Sequence, residues 1–262
     1  MISFLRISAI IQRHMIPMLR DPARIVDAFY WPALDLMLFG GMSLWSQKNM
    51  SPDPYFFLTV LSCICCWYIV YRSILEIAKS FLIEMWDNHL ANLFASPISL
   101  IELIIAWICQ GFLQSTFTFF YSMSIVLFIY HQNIFSHLLY LLPFYILFLA
   151  SGWIIGLLIV SILLSFGRSA EMITWTFPWL IATVCGAFYP VTLFPEYIQK
   201  ISYALPLTYL FEGVREVLIT HEIPYKTLGI SFMLCCFYLV LVYFCVNRAF
   251  EKSKLQGLSR LE

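Results

Sequence analysis

Residues 138–165 read LLYLLPFYILFLASGWIIGLLIVSILLS, a run without a single Asp, Glu, Lys or Arg. A helix needs roughly 20 mainly apolar residues to cross the hydrocarbon core of a bilayer, so this stretch suffices alone. Working outward, comparable runs lie at about 26–46, 55–77, 101–130, 172–188 and 226–247. Charged residues make up 11% of the chain and hydrophobic ones 61%, against about 25% charged in an ordinary soluble domain. The expected fold is an all-α integral membrane protein with six transmembrane helices. The spans use most of the 262 residues, so 1–262 reads as a single membrane domain.

The formal net charge is zero, so the charges inform by position only, and nothing points to nucleic acid. With six spans both termini share one side. Arg6, Arg13, Arg20, Arg24, Arg72, Lys79, Arg168, Arg248, Lys252, Lys254 and Arg260 fall on that side, and only Lys48, Lys200, Arg215 and Lys226 on the other. Positive residues favour the cytoplasm, which places both termini there and 131–137 and 189–225 outside. All eight cysteines sit in apolar stretches and read as packing residues rather than disulfides or metal ligands. The start of the chain lacks an apolar core followed by a small-residue cleavage site and is not expected to be a signal peptide.

Residues 1–24 suggest an amphipathic helix. Arg6, Arg13 and Arg20 recur every seventh residue, with Phe4, Ile11, Met15 and Leu19 opposite. Such a helix either lies at the membrane interface or packs on a partner. The loop 79–98 is long, helix-compatible and amphipathic; Pro97 ends it and Ser99 caps the next helix. It is either a contact surface for another protein or a helix resting on headgroups. Asp35 is a carboxylate inside a span, costly there and so a functional candidate, with Arg72 as its expected partner. The pair reads as a gate or substrate contact, or as a buried structural link. Glu212 and Arg215, three apart, are expected to pair across a helical turn, as an outer gate or a satisfied helix end. Gly152 and Gly156 form a small-xxx-small motif that allows helices to approach closely, within the chain or between copies. Pro195 and Pro206 break the external segment, because proline removes a backbone donor and disfavours helix before it.

The order of these features resembles the ABC-2 type exporter permeases. The likeness rests on Leu19-Arg20-Asp21-Pro22 and Trp31-Pro32-Ala33-Leu34-Asp35, on Ser96-Pro97-Ile98-Ser99 with Glu102, and on Leu193-Phe194-Pro195-Glu196, Leu205-Pro206-Leu207-Thr208-Tyr209 and Glu212-Gly213-Val214-Arg215. One departure is Asn88-His89, where many members carry Gly-Thr. The resemblance implies a half-transporter that works with a second permease copy and a separate cytoplasmic ABC ATPase. ATP and Mg would bind on that ATPase, with no cofactor on this chain, which lacks a G-x-x-x-x-G-K-[ST] phosphate loop. It also implies that 79–98 is a coupling loop, with Phe81, Glu84, Trp86, Asp87, Asn88, Leu93, Phe94, Ser96 and Pro97 meeting the ATPase. The segment 189–225 becomes a re-entrant helical hairpin between spans 5 and 6. The implied function is export of an amphipathic substrate (a drug, lipid or glycolipid/polysaccharide) out of the cytoplasm or inner leaflet across a bacterial cytoplasmic membrane. A membrane enzyme acting on lipids and an ion-coupled carrier are the alternatives. An enzyme would call for converging acids, histidines or metal ligands, whereas His14, His89, His131, His137 and His221 are scattered.

Overall fold

The fold, taken from a computed structural model, is described for residues 3–49, 55–87 and 98–256. Nine α-helices succeed one another among these residues: α1 Phe4–Arg20, α2 Pro22–Asn49, α3 Phe56–Trp86, α4 Leu100–Tyr130, α5 Leu138–Phe166, α6 Met172–Val184, α7 Glu196–Ser202, α8 Pro206–Thr220 and α9 Tyr225–Gln256. Short 3-10 turns at Ile134–His137, Gly167–Ala170 and Val191–Leu193 join them. No strand occurs among the described residues.

The helices α3, α4, α5 and α9 are long and apolar enough to cross a membrane. The chain is a multi-pass membrane protein. Two further expected spans are less apolar or shorter. The 28 residues of α2 include Arg24, Asp27 and Asp35, and α6 has only 13 residues, roughly 20 Å at 1.5 Å per residue.

The central post is α3. Its apolar window is 83% buried within the chain, against 22% for α9. It packs against α4 and α5 most extensively and also touches α2, α6 and α8. Close approach to α5 depends on glycine. A Cβ at Gly152 would lie 2.5 Å from Ser73 Cβ and 2.9 Å from the Val70 carbonyl, and one at Gly156 would lie 3.0 Å from Ile77 Cβ. The small-xxx-small motif therefore joins two helices of one chain. The same Ser73 shares a hydrogen bond of 2.8 Å with Ser115 that ties α3 to α4. The outward faces of α2 and α9 expose Met37, Leu38, Met42, Trp45, Phe232, Met233, Phe237 and Phe244, an apolar belt suited to lipid.

Two boundaries differ from the expectation. The loop expected from residue 79 begins later, because α3 continues unbroken to Trp86. The reason is burial: Phe81, Leu82 and Met85 remain covered, with Phe81 edge-on to Trp107. Arg168 then donates to the Met85 carbonyl at 3.0 Å and satisfies the helix end. The second is at the start of the chain, where the helix expected over 1–24 ends at Arg20 and α2 begins at Pro22; α1 packs on α4 and α2 and buries Ile7, Ile10 and His14.

The two prolines act as expected. Pro195 immediately precedes α7 and Pro206 opens α8, so the segment forms two helices rather than one. A turn at Gly186, φ 72°, ends α6, a left-handed conformation that glycine adopts without penalty.

Replacing Gly152 with valine forces a side chain into the α3 backbone, and overpacking of this kind costs about 1–3 kcal/mol. The variant is expected to melt at lower temperature in detergent. Gly41→Ala, where a Cβ meets nothing within 4 Å, is expected to melt unchanged or slightly higher.

Candidate functional site at the α1 end of the bundle

Two carboxylates stand at the ends of α3 and α4, on either side of the 88–97 segment, and α1 grips both. Glu102, in the first turn of α4, makes a reciprocal capping box with Ser99. Its other oxygen accepts the Ser3 backbone N–H at 2.7 Å, and the Arg6 guanidinium lies 3.7 Å from the capping oxygen. Glu84, in the last turn of α3, accepts from Arg13 Nη2 at 2.9 Å, with His14 Nε2 at 3.5 Å. Both carboxylates are almost fully buried, whereas Arg6 and Arg13 are nearly half exposed. The arginines thus face the bundle's acids, and Phe4, on the other side of α1, is 82% exposed.

Further into the bundle, α2 and α6 flank α3 and leave a polar cavity of about 200 Å³. Asp27 of α2 is its hub. The carboxylate lies 3.4 Å from Arg72 Nη1 and 3.2 Å from Lys79 Nζ. Arg72 Nη2 also donates to the Asp27 carbonyl at 2.7 Å. The Lys79 ammonium sits 5.4 Å from the centroid of the Trp175 ring on α6, within cation–π range. Between the two cations, Glu76 accepts from Gln110 of α4 at 3.4 Å.

The expected Asp35–Arg72 pair does not form. Arg72 is engaged by Asp27, and Asp35 accepts from the Tyr68 hydroxyl at 2.5 Å. The cause is axial level: Asp35 lies eight residues beyond Asp27, about 12 Å along α2, opposite Tyr68 rather than Arg72. Above this level the groove closes with aromatic rings. Phe39 of α2 stacks on Phe188 at 4.8 Å, and Trp67 and Trp179 flank Phe188.

At the opposite end, the expected Glu212–Arg215 pair is also absent. Arg215 donates to the carbonyls of Gly186 and Ala187 and so braces the turn after α6. Glu212 accepts from the Tyr203 hydroxyl at 3.1 Å. Burial, and after it the nearby Glu212 carboxylate, pushes the Tyr203 phenol up and keeps it the donor. Backbone carbonyls and a tyrosine outcompete a pair on one helix because they are already held by tertiary packing.

A sequence model of the family described as ABC-2 type transporter matches residues 6–219. This chain belongs to the ABC-2 type transporter family. No curated protein sequence matches it. In an ABC-2 permease the domain is a transport domain, and family membership implies an ATPase subunit as partner.

The residues expected to meet that ATPase divide into three groups in this permease. Phe81 and Glu84 are buried, the first against Trp107 and the second beneath α1. Trp86 is 44% exposed and donates to Glu171 at 3.2 Å; Asp87 is exposed and caps α3. Asn88, Leu93, Phe94, Ser96 and Pro97 lie outside the described residues. Sequence reasoning missed Asp27. Its signal was present: an acid at the very start of the first apolar run, with two cations near the end of the next.

The Arg13–Glu84 contact is the stronger of the two α1 clamps, since a charged hydrogen bond contributes about 1.5–3 kcal/mol when shielded and less with an exposed partner. Arg13→Ala is expected to speed amide hydrogen exchange across residues 4–20 severalfold. Arg6→Ala, whose ion pair is longer, is expected to do so less. Equal, unchanged exchange in both would remove the clamp from the account.

Proposed function

We propose that this chain is the permease subunit of an ATP-driven exporter that moves an amphipathic substrate out of the cytoplasm or the inner leaflet. It works beside a second permease copy and two cytoplasmic ABC ATPase subunits, which hold the ATP and Mg. The observation that carries this reading is the double grip of α1 on Glu84 and Glu102 in a chain that matches the ABC-2 domain. A push on the 88–97 segment reaches α3 and α4 directly and α1 through two carboxylates. The ATPase-facing surface is then Trp86, Asp87 and the segment through Pro97, while Phe81 and Glu84 transmit rather than touch.

Six crossings are supported by which ends meet. Asp27 near the start of α2 reaches Lys79 at one end, and the carbonyls of Leu36 and Met37 accept from Tyr130 at the other end of α4. Arg168, just after α5, reaches Met85 at the α1 end. His221, just before α9, stacks on His137 at the far end. The chain between them therefore returns across the bundle through α6, with α7 and α8 at the far end as the re-entrant hairpin. The excess of Lys and Arg at the α1 end favours a cytoplasmic location for it, in a bacterial cytoplasmic membrane.

Asp87→Arg and Phe94→Ala are expected to abolish the permease's stimulation of ATP hydrolysis while membrane abundance stays near normal. Unaltered stimulation in both variants would refute the docking surface. Orientation is checked separately: a cysteine replacing Ser259 is expected to resist a membrane-impermeant thiol reagent in intact cells, and one replacing Lys200 to react.

A further inference from the structure

A cleft opens sideways between α4 and α5. Both helices pack extensively on α3 and only slightly on each other, so their outer faces splay. The cleft has a volume of about 140 Å³ and lies among Phe112, Phe119 and Phe120 of α4 and Leu138, Leu142 and Tyr145 of α5. Phe119 is buried at its floor, whereas Phe112, Phe120 and Leu142 are exposed at its mouth. The Tyr145 ring stands 6.5 Å from that of Phe112 and 5.8 Å from that of Phe119, so the walls are largely aromatic. The two hydroxyls in these walls are already engaged. Thr116 donates to the Phe112 carbonyl at 2.6 Å and shares a hydrogen bond of 2.5 Å with the Tyr145 hydroxyl. The lining therefore presents carbon only, and an occupant finds no polar group to bond.

Its position names the occupant. Both helices are long and apolar enough to cross a membrane. Leu138 opens α5 directly after the polar turn 131–137, in which His131, Asn133 and Ser136 are exposed. Tyr145 lies about 10 Å deeper along α5. The cleft thus starts near headgroup level and runs into hydrocarbon, where water does not enter. A gap lined by carbon forfeits dispersion contacts unless apolar atoms fill it. Width then selects what fills it. A whole helix is about 10–12 Å across and does not enter a gap of this size, whereas a single file of methylenes does. We infer that the cleft holds one acyl chain of a bilayer lipid from the leaflet at the far end, with its head group beside the turn 131–137. This lipid is a resident of the fold and not its cargo, so the inference stands apart from the transport reading.

The test uses the full-length permease reconstituted in vesicles of phosphatidylcholine and phosphatidylglycerol, doped with a phosphatidylcholine that carries a diazirine in mid-chain. Illumination attaches the chain to the side chains it touches, and mass spectrometry of the digested protein locates the adducts. Adducts within 112–120 and 138–145 are expected severalfold above those on Phe232 and Met233, which are exposed to lipid on α9. Leu142→Trp adds bulk to the cleft from an exposed position that tolerates it. This variant is expected to cut labelling of 112–120 severalfold while labelling of α9 stays the same. Equal labelling of the cleft and of α9 in the unaltered permease would mean ordinary solvation by lipid and overturn the site. Labelling of 112–120 that Leu142→Trp leaves unchanged would overturn it too. An unlabelled cleft, with a Leu142→Cys variant that cross-links to its counterpart, would give the gap to a second permease copy and overturn the lipid.

Discussion

The burial of α3 governs the rest of the architecture. A helix surrounded by other helices, in a protein itself surrounded by lipid, has no water to satisfy its polar groups. Yet α3 carries Arg72, Ser73, Glu76, Lys79, Ser80 and Glu84 on its lower half. Its neighbours each supply partners: Ser115 and Gln110 from α4, Asp27 from α2, Arg13 from α1. Toward α5, the closest approach, Gly152 and Gly156 make room for Ser73 and Ile77 of α3. Ser73 thus serves both the packing on α5 and the hydrogen bond to α4.

The charged residues of α3 gather toward its α1 end, and its opposite half is apolar. Charged residues near a helix end stay near headgroups and water, where their cost is lower. The middle and far half of α3 are filled instead by Trp67, Tyr68, Ile69 and Ile64, all fully buried. The polar cavity and the α1 clamp are two consequences of one gradient along α3. The first opens sideways between α2 and α6; the second closes the end from which the 88–97 segment departs. The cavity and the chain leading to 88–97 therefore adjoin the same few turns of α3.

Much of the fold is legible in the sequence. The extents of α4 and α5 agree with the apolar runs within a residue, because charged or turn-forming residues bound them on both sides. The breaks at Pro195 and Pro206 are legible because proline's effect is local. The end of α3 is not, since residues 79–86 are polar enough to leave a bilayer yet apolar enough to continue packing on Trp107. The candidate site is legible as a region and not in its pairings. Sequence position matches Arg72 to Asp35 and Glu212 to Arg215 and points Glu84 outward; packing gives all of these residues other partners.

By itself, the sequence determined that this chain lives in a membrane, that it is helical, that it carries no phosphate loop, and which residues punctuate it. These features arise from composition and from interactions within a few residues. Only the tertiary structure decided that Asp27 holds Arg72 and Lys79, that Asp35 accepts from Tyr68, that Arg215 braces the turn at Gly186, and that α1 closes over Glu84 and Glu102. The physical reason is that helical spacing states which side chains share a face, but neither the rotation of that face nor its level against a helix tens of residues away. Those two quantities are set by packing, here by Gly152 and Gly156 drawing α5 onto α3, and the ion pairs depend on them.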